Sequence, residues 1–325
     1  MVKKVIKIVL IIILAVVILT VGGCSILFGI INHRNANYWK YAETGGVVEA
    51  KYTALGSYEV SSLEFDSENE AYKKYEVWYP SEMKDTDKTY PLVIMANGTG
   101  VKASQYKEVF KHLASWGFIV VGNEDDNSRT GASSAATLDF ILNLNEDKSS
   151  DFYNKIDTEN IGIAGHSQGG VGAINAVTEQ ENGEAYKAIF AASTTSPYWG
   201  QDHVFGSEWR YDLSKINIPC FMVAGTGSAD AGTAEDITKT EGQGICPLWA
   251  MQENYRSLPD SITKVMARKI GKDHGDMLRQ AEGYMTAWFM WLLQDDGEAA
   301  KAFIGETPEI TVNPLYQDQQ VSLQS

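Results

Sequence analysis

Residues 161–170 read Ile-Gly-Ile-Ala-Gly-His-Ser-Gln-Gly-Gly, an apolar run that ends with Ser167 in a G-x-S-x-G pattern, followed by helix-compatible residues. Between a strand and a helix such a pattern makes a sharp turn. The glycines let neighbouring backbone approach without a Cβ clash, and the hydroxyl projects from the turn. A serine hydroxyl is a weak nucleophile until a base takes its proton, so acyl transfer from this position demands a histidine and an acid that orients it. The chain has five histidines. His33 adjoins an apolar N-terminal stretch, His112 falls in a helical pattern, His166 belongs to the turn itself and His203 precedes the candidate acid. His274, in the loop Gly-Lys-Asp-His-Gly after the run 264–270, is the predicted base. The acid is expected just past the run 221–225, where Thr-Gly-Ser-Ala-Asp offers Asp230; Glu235 and Asp236 are the substitutes if that loop is read differently.

Acyl transfer also needs donors aimed at the developing oxyanion. The backbone amide of Gln168, next to the serine, is one candidate. Thr99 in Asn97-Gly-Thr-Gly100, after the run 92–96, is the other. Further along, residues 193–215 hold Tyr198, Trp199, Phe205, Trp209 and Tyr211. From this segment Tyr198, Trp199 and Trp209 are predicted to form part of a substrate wall, with plain packing of a surface insertion as the alternative.

The elements that would position these residues are short apolar runs at 92–96, 118–121, 161–164, 189–192, 221–224 and 264–270, alternating with helical patterns at 103–116, 132–145, 169–179, 246–258 and 277–294. Such alternation builds an α/β fold: a mostly parallel sheet covered on both faces, with reactive loops at the carboxyl ends of its strands. Before it, residues 47–52, 60–65 and 75–79 alternate polar with β-branched or aromatic residues and are predicted to be antiparallel strands.

With 325 residues, 44% hydrophobic and 21% charged, the chain is long enough for one large domain. Its net charge of -15 would repel nucleic-acid phosphates, so nucleic-acid binding is excluded. Lys3, Lys4 and Lys7 precede an apolar stretch over residues 8–31, and Arg34 follows it. That length suits a bilayer span, and the lysines favour a cytoplasmic N-terminus. Residues 1–34 are therefore predicted to be a membrane anchor or lipoprotein signal, with Val-Gly-Gly-Cys24 as the lipoprotein-like feature, or else a cleaved signal peptide. Residues 35–325 are then an extracytoplasmic catalytic domain. In such a compartment Cys220 and Cys246 are either a disulfide or two buried thiols. No pattern with zinc-ligand spacing occurs, and neither metal nor cofactor is expected.

Beyond the serine motif, Tyr90-Pro-Leu-Val-Ile-Met-Ala-Asn-Gly98, the segment 112–121 and the segment 287–295 resemble the α/β-hydrolase superfamily, and within it the cutinase-like polyester hydrolases and dienelactone-hydrolase-like esterases. The resemblance covers about residues 88–305. It implies a cofactor-independent carboxylic ester hydrolase acting on a small or polymeric ester, with Ser167, Asp230 and His274 as the triad and the Thr99 and Gln168 amides as oxyanion donors. The chain departs from the pattern at Asn97, where many relatives have histidine, at Thr99 in place of an aromatic, and in the longer segment 193–215. A serine peptidase, a lipase or a catalytically silent surface-binding protein on the same scaffold are the competing expectations.

Overall fold

A computed structural model describes residues 29–324. Most of the predicted membrane anchor therefore lies outside the described residues, and among those described no helix is long and apolar enough to cross a membrane. Residues from Ala42 onward form one compact unit. Of the unit before it the described part is residues 29–41, where Tyr38 packs edge-on to Trp39 at 5.4 Å.

The apolar runs are strands of a nine-stranded sheet within the described residues: β1 (Val60–Asp66), β2 (Lys74–Pro80), β3 (Tyr90–Ala96), β4 (Ile119–Asn123), β5 (Ile156–His166), β6 (Tyr186–Ala192), β7 (Cys220–Gly225), β8 (Lys264–Lys269) and β9 (Tyr316–Ser322). They lie in the order β1-β2-β4-β3-β5-β6-β7-β8-β9. From β4 to β8 neighbours are parallel, whereas β1, β2 and β9 join antiparallel at the two sides. Every residue of β3, β4, β7 and β8 is buried, which is why β3, β7 and the start of β4 read as apolar runs instead of alternating ones, whereas β8 buries Lys264, Arg268 and Lys269 around Val-Met-Ala.

Helices cover both faces. Ile161 and Ile163 of β5 join a core with Leu138 and Ile141 of a helix over Ala132–Glu146 and Ile174 of another over Gln168–Thr178. Gly162, between them and so on the opposite face, lies under Phe289 of the helix Glu282–Gln294, where a Cβ would come 2.7 Å from the ring. On that face Trp288, Phe221 and Phe303 meet edge to face at 5.1 to 5.7 Å. These are the layers of an α/β-hydrolase fold, a mixed sheet with its reactive loops at the ends of β3, β5, β7 and β8.

Three expectations need correction. Residues 47–52 are not a strand but the helix Val47–Thr53. Its buried positions Val48, Glu49, Tyr52 and Thr53 follow a helical period, and its first amides are capped from far away: the Glu309 carboxylate accepts from Val48 N at 2.7 Å and Glu49 N at 2.8 Å. A cap supplied by a residue some 260 positions later overrides the β-branched local preference. The predicted helix 277–294 is broken at Ala281 into a turn, Met277–Gln280, and the longer helix Glu282–Gln294. Strand β9, polar and at the sheet edge, was not expected at all; Tyr-Gln-Asp-Gln-Gln-Val-Ser carries little apolar alternation.

Candidate active site

Ser167 sits between β5 and the helix Gln168–Thr178 with φ +60° and ψ -122°, a conformation a non-glycine residue holds at a cost of roughly 1–3 kcal/mol. The flanking glycines make the turn feasible. A Cβ on Gly165 would lie 2.0 Å from the Gly169 carbonyl oxygen, and one on Gly169 would lie 2.1 Å from that of Ala96. The Ser167 amide is anchored to the Ala192 carbonyl at 2.9 Å.

His274 opens a short turn, His274–Asp276, beyond β8, and its Nε2 lies 2.9 Å from Ser167 Oγ. Its Nδ1 is 2.8 Å from Asp230 Oδ1. Asp230, fully buried in the single helical turn Ser228–Ala231 after β7, also accepts on Oδ2 from Ser193 Oγ at 2.6 Å and from Gly225 N at 2.7 Å. The two substitute acids stand elsewhere. Glu235 is exposed, and Asp236 is engaged in a local turn with the Thr238 amide at 2.8 Å. Ser193 escaped the sequence reading; its one signal was a hydroxyl directly after the run that became β6, at a left-handed backbone position of φ +45°.

At the end of β3, Thr99 and Gly100 form the centre of a turn closed by Val101 N to Gly98 O at 3.1 Å, with Gly100 at φ +66°. The Gln168 side chain donates to Thr99 Oγ1 at 3.2 Å and so ties this turn to the serine helix. Neither the Thr99 nor the Gln168 amide N–H has an acceptor among the described residues. Tyr106 holds the turn from behind, its buried hydroxyl oxygen accepting from Gly98 N at 3.1 Å, and burial pushes that phenol up to about 12. Asn97, the departure from the histidine of many relatives, donates from Nδ2 to the Asn123 and Asp125 carbonyls at 2.8 and 2.9 Å, pinning the start of the turn to the end of β4.

His166 has a place that its variable position in the serine motif did not announce. Its Nε2 is 2.6 Å from the carbonyl oxygen of His274, an acceptor only, so that nitrogen carries the hydrogen. Burial first, and then the neighbouring His274 ring at 4.6 Å, lower its pKa to about 4, so His166 is a neutral donor bracing the loop of the other histidine.

These groups open into a cleft of about 400 Å³ whose other walls are Val101, Thr195, Trp199, Phe205, Trp209 and Ile245. Phe205 lies between the two indoles, near-parallel to Trp199 at 5.1 Å and tilted against Trp209 at 5.1 Å. Arg129 sits over the Trp209 ring at 5.4 Å and pairs with Glu208. Of the predicted wall, Trp199 and Trp209 line the cleft. Tyr198 does not; it is buried behind Trp199, edge-on at 5.4 Å. Cys220 and Cys246 are free and buried, not bridged, and burial raises the Cys220 thiol to about 12. Among the described residues no group of three His, Cys, Asp or Glu is placed to hold a metal ion.

Fold and cleft together define a serine hydrolase of the α/β-hydrolase superfamily. Within it the chain belongs to the PET hydrolase-like family (PETase), which residues 41–241 match. It is 26% identical over 229 residues to cutinase 2 of Thermobifida cellulosilytica, an alignment covering 68% of this chain and 73% of that one. To cutinase cut1 of Thermobifida fusca it is likewise 26% identical over 229 residues, here spanning 60% of the relative's length. The protein is accordingly a cutinase-like carboxylic ester hydrolase. His274 lies beyond the matched residues 41–241, so its candidacy stands on its contacts in the fold.

Proposed function

We propose that the enzyme hydrolyses its ester in two acyl-transfer steps, with Ser167 as nucleophile, His274 as base and Asp230 as the acid that orients it. The observation supporting this is the unbroken line from Ser167 Oγ to His274 Nε2 at 2.9 Å and from His274 Nδ1 to Asp230 Oδ1 at 2.8 Å. Because Nδ1–H donates to a carboxylate, Nε2 is left as the acceptor of the serine proton. As Oγ bonds to the ester carbon, that proton passes to Nε2 and the carbonyl oxygen becomes an oxyanion received by the Thr99 and Gln168 amides. Nε2–H then protonates the departing alcohol oxygen as the C–O bond breaks. Water then adds to the acyl carbon as the same nitrogen takes its proton, and that proton passes to Oγ as the C–Oγ bond breaks and the acid leaves.

For the substrate we infer an ester with an apolar, planar portion, small or polymeric, that lies against Trp199, Phe205 and Trp209. The open aromatic wall and the cutinases among the relatives support this. We further place the enzyme on the outer face of the membrane, held by residues 1–34; an intact Met1 in the membrane-extracted protein, read by mass spectrometry, would exclude lipoprotein processing and signal cleavage. The central test is Ser167→Ala assayed on a short-chain aryl ester. Turnover and fluorophosphonate labelling should both vanish with the circular-dichroism spectrum unchanged. Retained turnover would sink the proposal.

A further inference from the structure

The loops that carry Asp230 and His274 are joined by a carboxylate outside the proton path. Asp273 Oδ1 accepts from Asp230 N at 3.0 Å and from His274 N at 2.8 Å, and its Oδ2 accepts from Ala229 N at 3.2 Å. One side chain thus holds the backbone of both residues at once. Two glycines before the acid make the approach possible. A Cβ on Gly227 would lie 2.4 Å from Asp273 Cγ, and a Cβ on Gly225 would lie 2.3 Å from the Lys272 carbonyl oxygen. The same strip is closed by Gly227 N to Lys272 O and by Gly271 N to Thr226 Oγ1, each at 2.8 Å. Burial on its own would raise the Asp273 carboxyl; the amide donors of Asp230, His274 and Ala229 outweigh it and hold the group below the usual carboxylate range.

We propose that Asp273 is a positioning residue, whose carboxylate sets the distance between the Asp230 carboxylate and the His274 imidazole by binding the main chain of both. The inference rests on the Ser167–His274–Asp230 assignment above. The chemistry is sensitive to such placement, since a displacement of roughly 1 Å costs about 100-fold in rate. A purely structural role would be narrower: Asp273 is also the N-cap of the turn His274–Asp276. Serine caps as well as aspartate does, but its oxygen sits one bond closer to its own main chain than the Oδ1 shared with Asp230 N, and it has no second acceptor for Ala229 N.

The test compares full-length Asp273→Ser and Asp273→Ala with the parent protein for kcat and KM on an aryl ester, rate of fluorophosphonate acylation, and thermal midpoint. Positioning predicts that both variants lose about 10- to 100-fold in kcat and in acylation rate, with KM within about twofold. Serine should rescue the midpoint more than the rate; if only one variant folds, its kcat decides. A serine variant with parental kcat overturns the proposal, and so does failure of both variants to fold, which would make Asp273 a purely structural cap. A parent protein that does not react at Ser167 is a different result, removing the triad assignment itself.

Discussion

Two fully buried carboxylates in this molecule each face a histidine, and their surroundings differ. Asp230 accepts from Ser193 and Gly225 in addition to its contact with His274. Glu282, at the start of the helix Glu282–Gln294, has no hydrogen-bond donor among the described residues, and His112 Nδ1 stands 3.3 Å from it. Burial raises the Glu282 carboxyl well above the usual range, and burial lowers His112 to about 4. His112 Nε2 is 2.9 Å from the Thr53 carbonyl and must donate to it, which leaves Nδ1 to accept. Thr286 Oγ1 also lies 3.4 Å from that nitrogen, so the contact joins a carboxyl whose charged form burial disfavours to a neutral imidazole and is no ion pair, despite its distance. The number of donors around the carboxylate decides whether a buried acid–histidine contact can support charge on the ring or merely packs.

The largest effect that would break this contrast is expected at Asp230. In Asp230→Asn an amide faces His274 Nδ1, favouring the wrong tautomer, and kcat should drop on the order of ten-thousandfold with the fold intact; a loss below tenfold on an aryl ester would erase the difference between the two sites. A third buried carboxylate, Glu49, pairs with Lys269 at 2.9 Å, both side chains being 1% exposed. Replacing its partner in Lys269→Met should destabilise the protein by about 3–5 kcal/mol in urea unfolding, because an uncompensated charge is left inside. No change there would mean that Glu49 is satisfied by Asn313, Tyr316 and the Gly45 amide without the lysine.

Glu282→Gln should stabilise, and by an amount that grows with pH. The folded pKa of Glu282 lies above its unfolded value, so the folded state keeps a proton the unfolded state has released. Its contribution is complete below the unfolded carboxyl pKa and is lost as pH rises through the folded one. His112, depressed to about 4, has the opposite sign, but its contribution stops changing above its unfolded pKa of about 6.5. Unfolding at pH 7 and pH 9 therefore isolates Glu282; a variant-to-parent difference that is flat across that interval would mean the carboxylate is already ionised. The smallest effect should be Lys215→Ala, which removes an exposed pair with Glu179 and should leave the unfolding midpoint within experimental error.

Ser167 was recognisable because its requirements are local: glycines two residues to either side, a strand behind and a helix ahead, all within ten residues. The apolar strands were legible for a related reason, since burial on both faces leaves a continuous hydrophobic run. His274 was reachable by elimination and chain order, and Asp230 as the first acid after β7. Reading 47–52 as a strand failed because the residue that caps that helix, Glu309, is remote in sequence. Polar β9 failed because an edge strand needs no apolar alternation when one flank is open.

The chain's order of residue types thus specified the glycine-flanked serine turn, the alternation of the sheet and the likeness to ester hydrolases, because each depends on neighbours along the backbone. Folding chose among what that order left open. It brought Asp230, not Glu235 or Asp236, to the imidazole; it supplied Ser193, His166 and Asp273 around the pair; it kept Cys220 and Cys246 as thiols and turned Tyr198 away from the cleft. Each of those outcomes is a distance between segments dozens to hundreds of residues apart, and such distances are set by how the layers pack.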